Sequence, residues 1–236
     1  SPEAVQHCRY EYAALLSMCD HYLGKLLDYM DANHMWDDTM LIVNTDHGFL
    51  LSEHDCWAKC VHPFYNEIAH IPLFIWDPRS MAGGVRRSSL VQGIDLPATI
   101  LDFFHLPIPA DMQGKPLKDT IENDRPVRQA ALFGLHGAQI NVTDGRYVYM
   151  RDPIEGNSPL YNYTLIPTHM RSLFSVEEMQ NMKIAQPFSF TKNCPLMKIK
   201  YHEDEGGDIN ANHRTGTKLY DLSADPKQEY PIENPA

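Results

Sequence analysis

The sequence has too little basic charge for a nucleic-acid binder and no apolar run long enough to cross a membrane. Lysine and arginine number 20 against 31 aspartates and glutamates, a formal net charge of −11 at pH 7. A chain that tracks a phosphate backbone carries the opposite balance, so nucleic acid is not an expected partner. No stretch approaches the ~20 apolar residues of a spanning helix, so no membrane partner is expected either. Cysteine is scarce and odd in number: Cys8, Cys19, Cys56, Cys60 and Cys194. A chain of 236 residues does not need covalent staples, so no disulfide framework is expected. The compartment stays open, with a lean towards a reducing, cytoplasmic one. No internal repeat is visible. Neither an initiator methionine nor a signal-peptide pattern precedes Ser1-Pro2-Glu3, which points to a processed or cut start. The sequons at Asn141 and Asn162 are frequent enough by chance that they do not argue for secretion.

What is present is ordinary globular composition, 43% hydrophobic and 22% charged, in a chain long enough for one large domain or one and a half smaller ones. Its organising stretch is Leu41-Ile-Val-Asn-Thr-Asp-His-Gly48. Met40 to Val43 is a short apolar run of the kind buried in a parallel sheet, and it stops on Asp46 and His47. The carboxyl edge of such a sheet is where open α/β folds bind ligands. Neighbouring side chains in a strand point to opposite faces, so Asp46 and His47 share one ion only if the chain leaves strand geometry, which Gly48 allows. An Asp oxygen and a neutral imidazole suit a divalent cation, yet two residues cannot fill a coordination sphere, and further ligands must come from elsewhere. The bland alternative is a turn Asp beside a surface His.

The order of elements follows from periodicity. From Ala4 to about Met30, apolar residues recur at spacings of three and four, an amphipathic helix leading into the strand at Met40. A long connection, Phe49 to His70, precedes a second apolar strand, Ile71 to Trp76, and connections of that length are usually functional. Arg86 to Val91 reads as a further short strand. Asp95 caps a helix to Phe104, with Pro97 tolerated in its first turn. Near residue 125 the pattern changes to strands and loops, which divides the chain into an α/β part, 1–125, and a small α+β part with an antiparallel sheet, 126–236. Ala130 to Leu135 is a strand, and Ala138 to Met150 a hairpin through Asp144-Gly145, a type I′ signal. Val176 to Met182 reads as a helix, and the acidic run at His202 to Glu205 as solvated surface.

Two clusters in the long connection bear on chemistry. Lys59 is the cation nearest Asp46 and His47 in this region, and could neutralise a sulfate or phosphate ester; the alternative is a solvated surface lysine. His54, Cys56, Cys60 and His62 have the residue types of a zinc site, but their spacing matches no common pattern of paired ligands. They keep open a non-catalytic, zinc-bound interaction module.

Several separated stretches, in order, resemble the sulfatase family of the alkaline phosphatase superfamily. Asn44-Thr-Asp-His-Gly48 is similar to the family's metal strand. Ser52-Glu-His-Asp55 followed by Trp57-Ala-Lys59 is similar to its G-E-H-G and W-x-K stretches. Tyr65-Asn-Glu67 before Ile71-Pro-Leu73, Ile94-Asp-Leu-Pro-Ala-Thr99, Gln113-Gly-Lys-Pro-Leu117 and Leu219-Tyr-Asp-Leu-Ser-Ala-Asp-Pro226 complete the match, and Tyr12, Asp20 and Gly24 fit the helix before the metal strand. Phe49 departs from a frequent acidic residue, and Ser52 and Ala58 stand where glycines are usual. The resemblance covers nearly the whole chain, but only the second half of a sulfatase.

The resemblance implies an alkaline-phosphatase-like mixed sheet with flanking helices. It implies Asp46 and His47 as metal ligands, Lys59 as the catalytic sulfate-binding lysine, and Trp57 and His54 beside it towards substrate. Calcium is the first expected metal, with manganese or zinc as alternatives. The formylglycine nucleophile and the remaining ligands are expected upstream, since none of the five cysteines lies in the family's nucleophile motif, and Cys8, Cys19 and Cys194 read as buried thiols. The expected activity is sulfuric ester hydrolysis on a small-molecule or saccharide ester, with a phosphonate or phosphate ester hydrolase as alternative. The chain alone is expected to be inactive. Its strands are expected to need the missing N-terminal half as partner, leaving otherwise an exposed edge prone to association, a homo-oligomer included.

Overall fold

The structure is a computed structural model and describes residues 1–59, 63–135, 137–154, 159–169, 172–201 and 216–233. The three-to-four apolar spacing does produce one long helix, α1, over Pro2–Ala32; the Ser1 side chain accepts from the Ala4 N–H, and Pro2 sits in the first turn where its missing N–H costs nothing. The apolar stripe of α1 is not covered. Met30 alone is buried, while Leu15 and Leu16 are 59% and 61% exposed. Cys8 and Cys19 on this helix are exposed thiols, and so is Cys194 in a surface turn, which corrects the expectation that all three are buried. The helix is held at its first turns by Arg9, which donates to the Leu51 carbonyl at 2.9 Å, and by the Tyr12 ring 5.8 Å from Phe49.

Trp36 locks the exit from α1, donating to Asp31 at 2.6 Å and accepting at its carbonyl from the Trp76 indole at 2.9 Å. Strand β1, Leu41–Asn44, follows. A short hairpin of β2, Leu50–Leu51, and β3, Trp57–Ala58, leads to a one-turn helix α2, Asn66–Ala69, and then to β4, Leu73–Trp76. β1 and β4 pair antiparallel, Leu41 opposite Trp76 and Asn44 opposite Leu73. The parallel arrangement expected for them is therefore corrected. The reason lies in the connection: the Gly48 N–H donates to the Ile68 carbonyl at 2.9 Å and the Phe49 N–H to the Glu67 carbonyl at 3.1 Å, so the two strands keep pairing past their ends. The described residues between 50 and 66 branch from the tip of that hairpin, and β1 and β4 are joined without a crossover among the described residues.

Helix α3, Asp95–Phe103, begins one residue earlier than a cap at Asp95 requires, with Ile94 at the N-cap. Asp95 is instead a fully buried anchor. Its carboxylate accepts from the backbone N–H of Gln92 at 2.8 Å and of Lys115 at 2.9 Å, and from both arms of Arg128 at 2.6 and 2.5 Å. The strand expected over Arg86–Val91 does not form. Ser88 and Ser89 there donate to Asp124, which follows helix α4, Lys118–Asn123.

The strands after residue 125 are β5, Ala131–Gly134; β6, Ile140–Thr143; β7, Tyr147–Arg151; β8, Tyr161–Thr164; β9, Lys183–Ala185; β10, Leu196–Lys200; and β11, Lys218–Asp221, with helix α5, Val176–Gln180, between β8 and β9. They form a four-stranded antiparallel sheet of order β11-β7-β6-β5 and a three-stranded one of order β8-β10-β9. The turn between β6 and β7 is not type I′, because Gly145 (φ +96) is left-handed and Asp144 is not; the Asp144 side chain accepts from the N–H groups of Arg146 and Tyr147. The alternation along β7 buries Val148 and Met150, which pack with Tyr220 of β11 and with Tyr65, the residue that precedes α2. The core of the four-stranded sheet therefore rests directly on the long connection.

Candidate metal and anion site

Immediately after β1 the chain leaves strand geometry, and three of the expected site residues come together. Asp46 Oδ2 lies 3.2 Å from His47 Nε2, and the Lys59 ammonium donates to the same Nε2 at 2.6 Å. The His47 Nδ1 is 2.8 Å from the Gly48 carbonyl. A carbonyl only accepts, so Nδ1 carries the proton and Nε2 keeps its lone pair, the arrangement a metal-ligating histidine needs. The Asp46 carboxylate accepts from the His47 N–H at 3.0 Å and from Thr45 at 3.3 Å. Desolvation works to raise the Asp46 carboxyl, but the adjacent His47, two backbone N–H groups and the Thr45 hydroxyl together outweigh it and hold it below the usual carboxylate range. Asp46 therefore offers an anionic, outward-facing oxygen at neutral pH.

Gly48 is required here by crowding. Its φ is not left-handed, but a Cβ at this position would lie 1.7 Å from the Glu67 carbonyl oxygen. The conformational freedom expected of Gly48 is thus replaced by close approach to a neighbouring backbone. The left-handed residues lie further on, at Ser52 (φ 82), His54 (φ 53), Asp55 (φ 55) and Ala58 (φ 80). Each costs about 1–3 kcal/mol and persists only where the surrounding structure over-determines it. The hairpin that delivers Lys59 is held from within by β2–β3 pairing, Leu50 opposite Ala58 and Leu51 opposite Trp57, and by the Leu51 N–H donating to Glu53.

Trp57 lies half-buried on β3, two residues from Lys59. His54 faces elsewhere: its ring stacks on Tyr65 at 3.6 Å between centroids, and its Nε2 lies 3.6 Å from Glu67 Oε2. Neither of those two buried atoms has a hydrogen-bond partner among the described residues. The contacts recorded for His54 are with this packed layer, and none is with Asp46, His47 or Lys59. Gln228 belongs to the same layer, accepting from the Asn66 N–H at 2.7 Å, and no local sequence signal could have announced it across 162 residues. Among the described residues no group of three or more His, Cys, Asp or Glu could hold a metal. The donor chemistry of Asp46 and His47 nevertheless fits a hard or borderline divalent cation. The alternative zinc grouping falls partly on Cys60 and His62, which lie outside the described residues. Burial, with the Asp55 charge, pushes the Cys56 thiol up and so away from the thiolate that zinc takes.

Residues 3–106, which contain this whole arrangement, match the model of the family described as Sulfatase. That part of the chain is similar to sulfatases. The chain is 32% identical over 114 residues to an N-acetylglucosamine-6-O-sulfatase of Bacteroides thetaiotaomicron, covering 48% of this chain and 20% of that protein. It is 26% identical over 137 residues to an arylsulfatase of Clostridium perfringens, 57% of this chain and 28% of that one. The chain thus spans between a fifth and a third of the length of those relatives. Among solved structures it resembles a protein captured with its substrate D-glucosamine-2-N,6-O-disulfate, with a TM-score of 0.55 at 21% identity over 88% of this chain and 32% of that one. The likeness shows an α/β fold, and the β1–β4 pair and the antiparallel sheets are this chain's share of it.

Proposed function

We propose that this chain carries the metal-binding turn and the anion-binding lysine of an enzyme that hydrolyses sulfuric esters, a saccharide sulfate among its substrates. The observation that carries the reading is the convergence of Asp46, His47 and Lys59 on one point, with the His47 tautomer set by Gly48. Asp46 and His47 would hold a divalent cation, calcium first and manganese or zinc as alternatives, which when bound polarises the ester oxygens. Lys59 pairs with the anionic oxygens of the ester and balances the charge that develops as the S–O bond breaks. Thr45 and the Gly48 carbonyl keep the carboxylate and the imidazole aimed at the same point. Further ligands and a formylglycine nucleophile are assigned to protein outside this chain, so the chain alone is inactive.

The test uses the chain co-expressed with its upstream segment and assayed on an aryl sulfate. Lys59→Ala should lower kcat/KM by about 2–4 kcal/mol of transition-state stabilisation, and Asp46→Asn should lower metal affinity and turnover together. Normal turnover by Asp46→Asn at saturating calcium or manganese, or robust turnover by the isolated chain, would overturn the assignment. An aryl phosphonate run in parallel separates the sulfatase from a phosphonate or phosphate ester hydrolase built on the same donors.

A further inference from the structure

The three-stranded sheet carries a surface that the proposed chemistry does not use. Lys198 of β10 stands opposite Tyr163 of β8 on one side and Lys183 of β9 on the other, and Lys200 stands opposite Tyr161. Alternate residues along a strand share a face, so Tyr161, Tyr163, Lys183, Lys198 and Lys200 lie on one side of the sheet. The opposite side holds Ile199, 1% exposed, and β10 packs against α5. On the lysine side, the Lys198 ammonium lies 4.0 Å from the Tyr161 ring centre and 5.7 Å from that of Tyr163. Tyr163 meets Phe188 edge-on at 5.2 Å, and Phe188 stacks on Phe190 at 5.5 Å, with Tyr163, Phe188 and Phe190 42%, 38% and 56% exposed. The result is a row of rings beside three lysines. None of the three lysines has a carboxylate within 4.0 Å among the described residues, whereas Lys192 nearby pairs with Asp111 at 3.6 Å.

What sets these three lysines apart is that they crowd onto one face of one sheet with no carboxylate within 4.0 Å among the described residues, and in a chain of net charge −11 such a cluster favours an anion. The rings narrow the choice. An inorganic anion has no use for an exposed aromatic row, but a sugar presents an apolar C–H face to lie on it and anionic substituents at its edge. Lysine, a flexible point charge without a fixed fork, suits sulfates scattered along a saccharide better than one planar group. Adjacent strands and alternate residues place the stems of the three lysines roughly 5–7 Å apart, so one short stretch of chain can meet all of them.

We infer that the outer face of this sheet binds a sulfated saccharide chain, at a site separate from Asp46, His47 and Lys59. The inference shares with the proposed function only the class of ligand, and its test reads binding without turnover, so that either can fail alone. The intact chain is titrated calorimetrically, at one ionic strength, with a highly sulfated glycosaminoglycan oligosaccharide, its desulfated counterpart, and a single-stranded oligonucleotide of matched charge. The sulfated sugar should bind, and the other two should bind at least about tenfold more weakly. Lys198→Gln with Lys200→Gln should weaken the sulfated sugar at least about tenfold, and Tyr163→Leu several-fold, while Lys59→Ala leaves it unchanged. Lys200 is exposed and Lys198 half-buried, and an unaltered melting temperature verifies that the double change keeps the fold. No binding by the unsubstituted chain, equal binding of the desulfated sugar, tighter binding of the oligonucleotide, or indifference to the lysine pair would each overturn the inference. So would a loss caused by Lys59→Ala alone, which moves the contact to the reacting centre.

Discussion

Leu15 and Val148 are both aliphatic residues on the apolar stripe of a regular element, yet Leu15 is 59% exposed and Val148 1%. The contrast extends to their regions. β7 and β11 bury Val148, Met150 and Tyr220 and close their own core, while α1, β1 and β4 present half-covered apolar faces, Phe74 at 67% exposure among them. The whole chain exposes 16196 Å², where a folded monomer of 27.0 kDa exposes roughly 10,800 Å². The open region is also the one that matches the family model and bears Asp46, His47 and Lys59. A region with uncovered apolar faces and a sheet with a closed core share one chain, and substitutions should report which region they belong to.

The largest effect is expected where the two regions are tied. Asp95 belongs to α3 and Arg128 precedes β5, and their pair is buried, with side-chain exposures of 0% and 12%. Asp95→Ala would leave the Arg128 charge and the Gln92 and Lys115 N–H groups without their acceptor. Breaking such a pair costs about 3–5 kcal/mol. Chemical denaturation followed by both far-ultraviolet and near-ultraviolet signals should show one weakened transition. Two separate transitions would mean that the open region had come loose while the sheet remained.

Next comes the contrast itself. Met150→Ala should destabilise by about 3 kcal/mol through lost burial and the cavity left behind. Leu15→Ala in the isolated chain should stay within about 0.5 kcal/mol, as exposed positions do. Equal costs at the two sites would show that the helix stripe is covered in solution, by a second copy or otherwise, and sedimentation at two concentrations would identify self-association.

The same contrast explains which features the sequence disclosed. Local rules found α1, β1, the α3 helix and the Asp46, His47 and Lys59 grouping, because period, strand ends and a resemblance in spacing are all carried by nearby residues. The sense of pairing was not legible: β1 and β4 look like buried parallel strands by composition, and only the long-range bonds of Gly48 and Phe49 to Glu67 and Ile68 make them antiparallel. Burial of Cys8 and Cys19 was misjudged because a stripe on a helix says that cover is wanted and does not say that this chain provides it. Asp95 looked like a cap because its true partners, Lys115 and Arg128, lie far along the chain. The role of His54 was read from a motif of neighbours, while its contacts are set by Tyr65 and Glu67.

Alkaline pH should probe the layer where the two regions meet. Burial, with the neighbouring Tyr65, holds the Tyr220 hydroxyl far above its ordinary value, and burial raises Tyr65 as well. Below about pH 10 folded and unfolded chains both keep these protons, and stability has no slope from them. Above it the unfolded chain releases protons that the folded chain retains, so stability falls as pH rises towards the folded values, by up to about 1.4 kcal/mol per pH unit for each hydroxyl. Tyr220→Phe should flatten that limb. An unchanged slope between pH 10 and 11.5 would show that the layer is open to water.

The smallest effect sharpens the comparison most. Ser52 and Ala58 hold left-handed backbone, at φ 82 and 80, where the family's pattern has glycine. The conformation costs a side-chain-bearing residue about 1–2 kcal/mol, and glycine gives back about 0.4–1 kcal/mol through a freer unfolded chain. Ala58→Gly should therefore stabilise by about 0.5–1 kcal/mol, and Ser52→Gly by a similar amount. Where that gain appears is the informative part. If the hairpin of β2 and β3 unfolds together with the four-stranded sheet through the shared contact at Tyr65, the melting temperature rises. If the open region opens independently, melting stays where it was and only the amide exchange of residues around Leu50 and Ala58 slows. A destabilising glycine would mean that the Ala58 methyl packs well enough to outweigh its strained backbone, and that the Lys59 loop is held by contact more than by conformation.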